Sequence, residues 1–126
     1  MRKIKFRGQG LYTKHEWLYG DLAQRGSKVC ITPIGSTRLQ VIDYVVIPET
    51  VGQFTGLFDK NGVEIYEGDI VQYYNDRTVV KYENQGFIVA NSRDMCKSPL
   101  KIFGDENKWV VIGNIYQNAE LLQDSV

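Results

Sequence analysis

The chain has 126 residues, 43% of them hydrophobic, which is the size of one ordinary domain and enough to bury well over half of its unfolded surface. Fifteen Lys and Arg balance fifteen Asp and Glu, for a formal net charge of zero, so the chain lacks the long-range field that draws proteins to nucleic acid or anionic lipid. No window approaches the roughly 20 apolar residues of a transmembrane helix, and the basic start MRKIKFRGQ is not followed by the apolar run of about 7 to 15 residues that an export signal needs. A cytoplasmic protein with no membrane partner is expected.

In chain order, KIKFR (residues 3–7) alternates cleanly, with Lys3, Lys5 and Arg7 on one face, read as solvated, and Ile4 and Phe6 on the other. A flexible stretch is expected over residues 8–16. EWLYGDL, KVCIT, LQVIDYVVI, DIVQYY, RTVVKYEN, GFIVAN and KWVVIGNIY follow, all rich in Val, Ile, Tyr, Phe or Trp and mostly ended by Gly, Pro, Asn or Asp. Turn signals spaced by about ten residues, with no amphipathic helix of about a dozen residues between them, predict a mainly β single domain with little helix. Short helical turns are expected at PETVGQ, where Pro48 and Glu49 suit a first helical position, and over residues 118–123, where Asn118 can cap. In KWVVIGNIY, Trp109, Val111 and Ile115 are expected on one strand face. Weak order is expected over residues 91–99 and in the tail QDSV.

FTGLFDKNGVEIYEGDIVQY holds the candidate site residues. Asn61-Gly62 carries the strongest hairpin signal in the chain and predicts a two-residue turn with both residues at positive φ, Phe58 and Asp59 running antiparallel to Val63 and Glu64. A calcium loop counted from Asp59 would place Ile70 where its glutamate belongs, so no metal is expected, and replacing Asp59 by Asn should matter little. Gly68 gives the chain freedom to turn, and Asp69 can accept a bond from a nearby backbone N–H before the next strand. Glu64, Glu67 and Asp69 form no glycosidase-like pair on this reading, since such carboxyls sit deep in a cleft. Cys30 and Cys96 make no CxxC pair and read as reduced thiols. His15 stands alone with nothing local to mark it as a base. Catalytic residues, metal and cofactor are therefore all expected to be absent.

Three blocks, KIKFRG, IPETVGQFTGLFDKNGVEIYEGDIVQYYN (residues 47–75) and VIGNIYQNAELL (residues 111–122), closely resemble the YopX family of phage and prophage proteins. Gln117-Asn118-Ala119 stands where members usually carry Glu-Asn-Pro. The resemblance implies a mostly β protein, with N-terminal strands over residues 1–50 and an SH3-like small barrel over residues 51–126, encoded in mobile elements of Gram-positive bacteria. It brings no enzymatic activity or cofactor.

The function expected is a non-enzymatic protein-binding or self-assembling module, because small β-domains leave open edges and aromatic faces. KIKFR, with no hairpin partner in sight, and the long apolar LQVIDYVVI are read as surplus strand that a second copy could cover, which predicts a homo-oligomer, or else a phage or host protein partner. One alternative is a single-strand nucleic-acid module stacking bases on Tyr12, Trp17, Tyr19, Tyr73, Tyr74, Tyr82 and Trp109. The other is a small hydrolase or transferase, against which stands the lack of any HExxH, triad set or phosphate-binding glycine loop.

Overall fold

The computed structural model describes residues 4–33, 44–73, 76–83, 86–91, 97–99 and 109–122. The strands are β1 (Phe6–Gln9), β2 (Trp17–Arg25), β3 (Lys28–Thr32), β4 (Gly52–Phe58), β5 (Glu64–Tyr66), β6 (Asp69–Tyr73), β7 (Asp76–Glu83), β8 (Gly86–Asn91), β9 (Lys97–Pro99) and β10 (Val110–Asn114). Two short 3-10 turns span Pro48–Thr50 and Ala119–Leu122, and no described helix is long and apolar enough to cross a membrane. The protein is mainly β, and the strand pairs resolved in register are antiparallel.

The chain divides into two compact units, residues 1–54 and 55–126. The boundary falls inside β4. In the first unit the strand order is β3-β2-β1-β4, with β1 in antiparallel register to β2 (Arg7 opposite Tyr19, Gln9 opposite Trp17) and to the start of β4 (Arg7 opposite Gly52). Leu18, Ile31 and Val46 form its apolar core, with Phe6, Val29 and Val51 packed against them.

This arrangement corrects three expectations. The N-terminal strand is not surplus: it starts at Phe6, forms a hairpin with β2, and lies between β2 and β4. Residues 8–16 are tied down, since the Gly10 N–H donates to Glu16 O (2.8 Å) and the Leu11 N–H to Val45 O (2.9 Å). Of LQVIDYVVI, the described residues 44–47 make only single bridges, Val46 to Gly10 and Val45 to Cys30. Backbone bonds hold the segment on both sides, Val46 N–H to Val29 O (2.9 Å) and Ile47 N–H to Gln9 O (2.8 Å). Pro48 then starts the 3-10 turn expected there, and Thr50 locks it by donating to Ile47 O (2.6 Å) while accepting from the Gln9 N–H (2.9 Å).

In the second unit the last residues of β4 belong to Thr55–Phe58, which β5 flanks, and a sheet of order β10-β6-β7-β8-β9 follows. Ile65, Val71 and Val80 are its buried centre, with Leu57, Trp109 and Val111 against them. The β10 register shifts between Val111 and Gly113, and that bulge breaks the alternation along the strand. Trp109 and Val111 reach the core as expected, whereas Ile115 falls in a turn beyond the strand. A Cβ on Gly113 would lie 2.6 Å from Asn118 Oδ1, which accepts from the Asn114 N–H (3.2 Å). No ladder closes this sheet into a barrel among the described residues.

Candidate functional site

The carboxylates singled out in the sequence serve the backbone. Asp59 is 5% exposed; its Oδ1 accepts from the N–H groups of Asn61 (2.7 Å) and Val63 (2.8 Å), and its Oδ2 from Val111 N–H (3.0 Å) in β10. Lys60 N–H donates in parallel to Trp109 O (2.8 Å). The hairpin tip is thus fastened at two points, to Val111 in β10 and to Trp109 just before it, and the carboxylate acts as a clamp on three N–H groups. Replacing Asp59 by Asn, read from the sequence as a mild change, is expected from this geometry to cost more, because an amide would turn an NH2 donor toward one of these N–H groups.

The loop itself also differs from the expectation. Asp59 N–H donates to Val63 O (2.8 Å) and Gly62 N–H to Asp59 O (3.0 Å), while Gly62 alone in the loop has positive φ (83°) and Asn61 does not. This is a three-residue connection, a turn over residues 59–62 that ends on the left-handed Gly62. The clamp explains the choice, since a two-residue loop would leave no room for two side-chain-to-backbone bonds inside it.

Gly68 and Asp69 organise the next corner. Gly68 has φ 93°, where a Cβ would stand 3.0 Å from the Tyr116 ring, and its backbone is held on both sides, N–H to Val80 O (2.8 Å) and O from Ile115 N–H (2.9 Å). Asp69 Oδ2 accepts from Tyr66 N–H (2.8 Å), and the Tyr66 hydroxyl donates to Glu64 Oε1 (2.9 Å). Glu67 is half-buried in the same turn. No cluster of three or more His, Cys, Asp or Glu side chains suited to a metal is present among the described residues. Cys30 is a free, buried thiol packed with Tyr44 and Val45; Cys96 and Tyr74 lie outside the described residues.

The aromatic residues fall into different settings. Arg7 is 6% exposed and lies 4.5 Å over the Trp17 ring, which overturns the reading of its strand face as solvated: a guanidinium on an indole gains about 1 to 2 kcal/mol when water is excluded. Tyr73 and Trp109 form a tilted pair, centroids 5.5 Å apart. Lys28 Nζ stands 5.9 Å from the ring of Tyr12. Tyr12, Tyr19 and Tyr82 are exposed.

One feature has no local sequence signal. The tip of the β1–β2 hairpin, residues 13–16, closes through Glu16 N–H to Thr13 O (3.1 Å), with Lys14 at φ 56° and His15 at φ 61°. Two central residues at positive φ make a type I′ turn, usually built from Asn and Gly. With Lys and His it costs about 1 kcal/mol or more at each position. Beside it, Leu11 is 45% and Tyr12 53% exposed. Two exposed large apolar side chains thus stand next to a turn whose backbone is held at positive φ.

Residues 5–123 match the model of the family described as YopX protein. The crystal structure of protein EF1440 from Enterococcus faecalis is similar over 98% of this chain and 100% of that one, at 28% sequence identity and a TM-score of 0.55. A comparison with curated proteins returns no match.

Proposed function

The chain belongs to the YopX family, and from that membership we propose that it is a non-enzymatic phage or prophage accessory protein that acts in the cytoplasm by binding another protein through the tip of its β1–β2 hairpin. The carrying observation is the pairing of Leu11 and Tyr12, both exposed, with a Lys14-His15 turn held at positive φ. Exposed apolar side chains on a fixed loop supply contact area at little ordering cost, as binding anchors do. Buried Asp59 and the Asp69–Tyr66–Glu64 chain, occupied in holding backbone and each other, support a structural rather than catalytic use of the acidic residues. The SH3-like description of the second unit is part of this proposal, resting on its short antiparallel strands and its Gly68-Asp69 corner.

The test is a comparison of wild type with Leu11→Ser and Tyr12→Ala, each first shown to melt as wild type does. Affinity capture from cells of a Gram-positive host should recover a defined protein on wild type that both variants lose. Tight binding of a 20-nucleotide single strand with a steep salt dependence, weakened by Tyr12→Ala, would replace this reading with the nucleic-acid one. A sedimenting multimer that dissociates in the two variants would name a second copy as the partner.

A further inference from the structure

Asn61-Gly62 is exposed, and its chemistry is not used by anything described above. An asparagine followed by glycine is poised for intramolecular attack. The Gly62 nitrogen gives up its proton to solvent base and bonds Asn61 Cγ, the Cγ–Nδ2 bond breaks, and Nδ2 takes a proton and leaves as ammonia. The five-membered imide then adds water at Cγ, giving aspartate, or at the Asn61 backbone carbonyl, giving isoaspartate with the main chain rerouted through Cβ. Neither step needs an oxidant, a reductant or any reactant but water.

Sterics do not protect the site, because an added Cβ on Gly62 would meet nothing within 4 Å. The geometry does. The attacking Gly62 N–H is engaged with Asp59 O at 3.0 Å, and the Asn61 and Val63 N–H groups on either side are held by Asp59 Oδ1 at 2.7 and 2.8 Å. An amide whose proton is hydrogen-bonded in a fixed loop is slow to lose it, and one pinned on both sides cannot swing onto its neighbour's side chain. We propose that Asn61 is a latent site of spontaneous deamidation kept closed by the Asp59 clamp, so that modification proceeds only through opening of the β4–β5 hairpin tip. The isoaspartyl product would make opening permanent. Its extra backbone carbon shifts the Asn61 and Val63 N–H groups relative to one carboxylate, and the Val111 N–H (3.0 Å from Oδ2) loses the partner that fastens β10.

The experiment incubates the folded protein beside a synthetic peptide of residues 54–66 at mildly alkaline pH and follows Asn61 by mass spectrometry and enzymatic isoaspartate methylation. The peptide should convert, and the folded chain should convert more slowly by about tenfold or more, as local protection of a held loop implies. Asp59→Ala should bring the full chain toward the peptide rate. Equal rates in wild type and peptide overturn the proposal, as does a peptide that does not convert. Should Asp59→Ala fail to fold, wild type in graded urea decides. Conversion that rises below the unfolding transition supports opening of the clamp, and conversion that stays flat until global unfolding overturns it.

Discussion

The β1–β2 and β4–β5 loops both reverse the chain between antiparallel strands, and they do so by opposite means. At residues 13–16 two ordinary side chains accept positive φ and remain exposed, so the backbone carries the strain while the surface stays available. At residues 59–63 a single glycine takes the positive φ, and a buried carboxylate gathers the N–H groups around it. The first loop is held by backbone bonds at its base, Gly10 to Glu16 and Leu11 to Val45. The second is held from inside its own turn and from β10. Strain can persist in a loop anchored at its base, and a loop anchored through its interior has no need of it. The exposed, strained loop is therefore the one to examine for binding, and the relaxed, clamped loop the one to examine for stability.

The largest effect that would break this contrast belongs to Asp59→Ala. Removing the acceptor of three N–H groups should lower stability by about 3 kcal/mol in urea unfolding, and a loss under about 1 kcal/mol would mean that water or neighbouring carbonyls replace the clamp. Asp59→Asn is next, at about 2 kcal/mol, because the amide NH2 would oppose one of the N–H groups. An unfolding midpoint equal to that of wild type would show that the side chain relaxes without loss. Gly62→Ala follows at about 1 kcal/mol, from positive φ alone with no steric clash, read from the shift in urea midpoint at unchanged slope. The smallest change sharpens the other loop. Installing Asn and Gly by Lys14→Asn with His15→Gly should raise stability by about 0.5 to 1 kcal/mol, and if it lowers stability instead, the Lys14 and His15 side chains contribute contacts that outweigh their backbone.

Most strands were legible in the sequence because their signal is local. KVCIT is β3 as written, DIVQYY contains β6, and the 3-10 turns at Pro48–Thr50 and Ala119–Leu122 fall where proline and the NAELL run predict them. What escaped is set by distance along the chain. The second oxygen of Asp59 bonds Val111, 52 residues away, and no local pattern around DKNG announces that partner. The Lys14-His15 turn escaped for a related reason: tight turns are recognised by Asn and Gly, and here flanking strand register imposes positive φ on residues that do not favour it. The solvated reading of Arg7 failed because Trp17, opposite Gln9 and so two positions along the ladder, comes from the other arm of a hairpin that alternation in KIKFR cannot reveal. Of the candidate site, only Tyr12 was legible, as one of seven aromatic residues, while Leu11 and the Lys14-His15 turn beside it carried no signal. Which of those aromatic residues are exposed depended on packing.

The Asp59–Val111 bond also orders events in time. A chain leaving the ribosome emerges from its N-terminus at about 5 to 20 residues per second, and everything that pairs within residues 1–54 is available once that stretch is out. The hairpin at residues 59–63 is in a different position, since its carboxylate must wait for Val111, and Lys60 for Trp109. For the several seconds of elongation in between, the first unit can mature while the turn of the second remains loosely held. Pausing or truncation in that window leaves the Asn61-Gly62 turn with only its local bonds to Asp59, and without the ties to Val111 and Trp109.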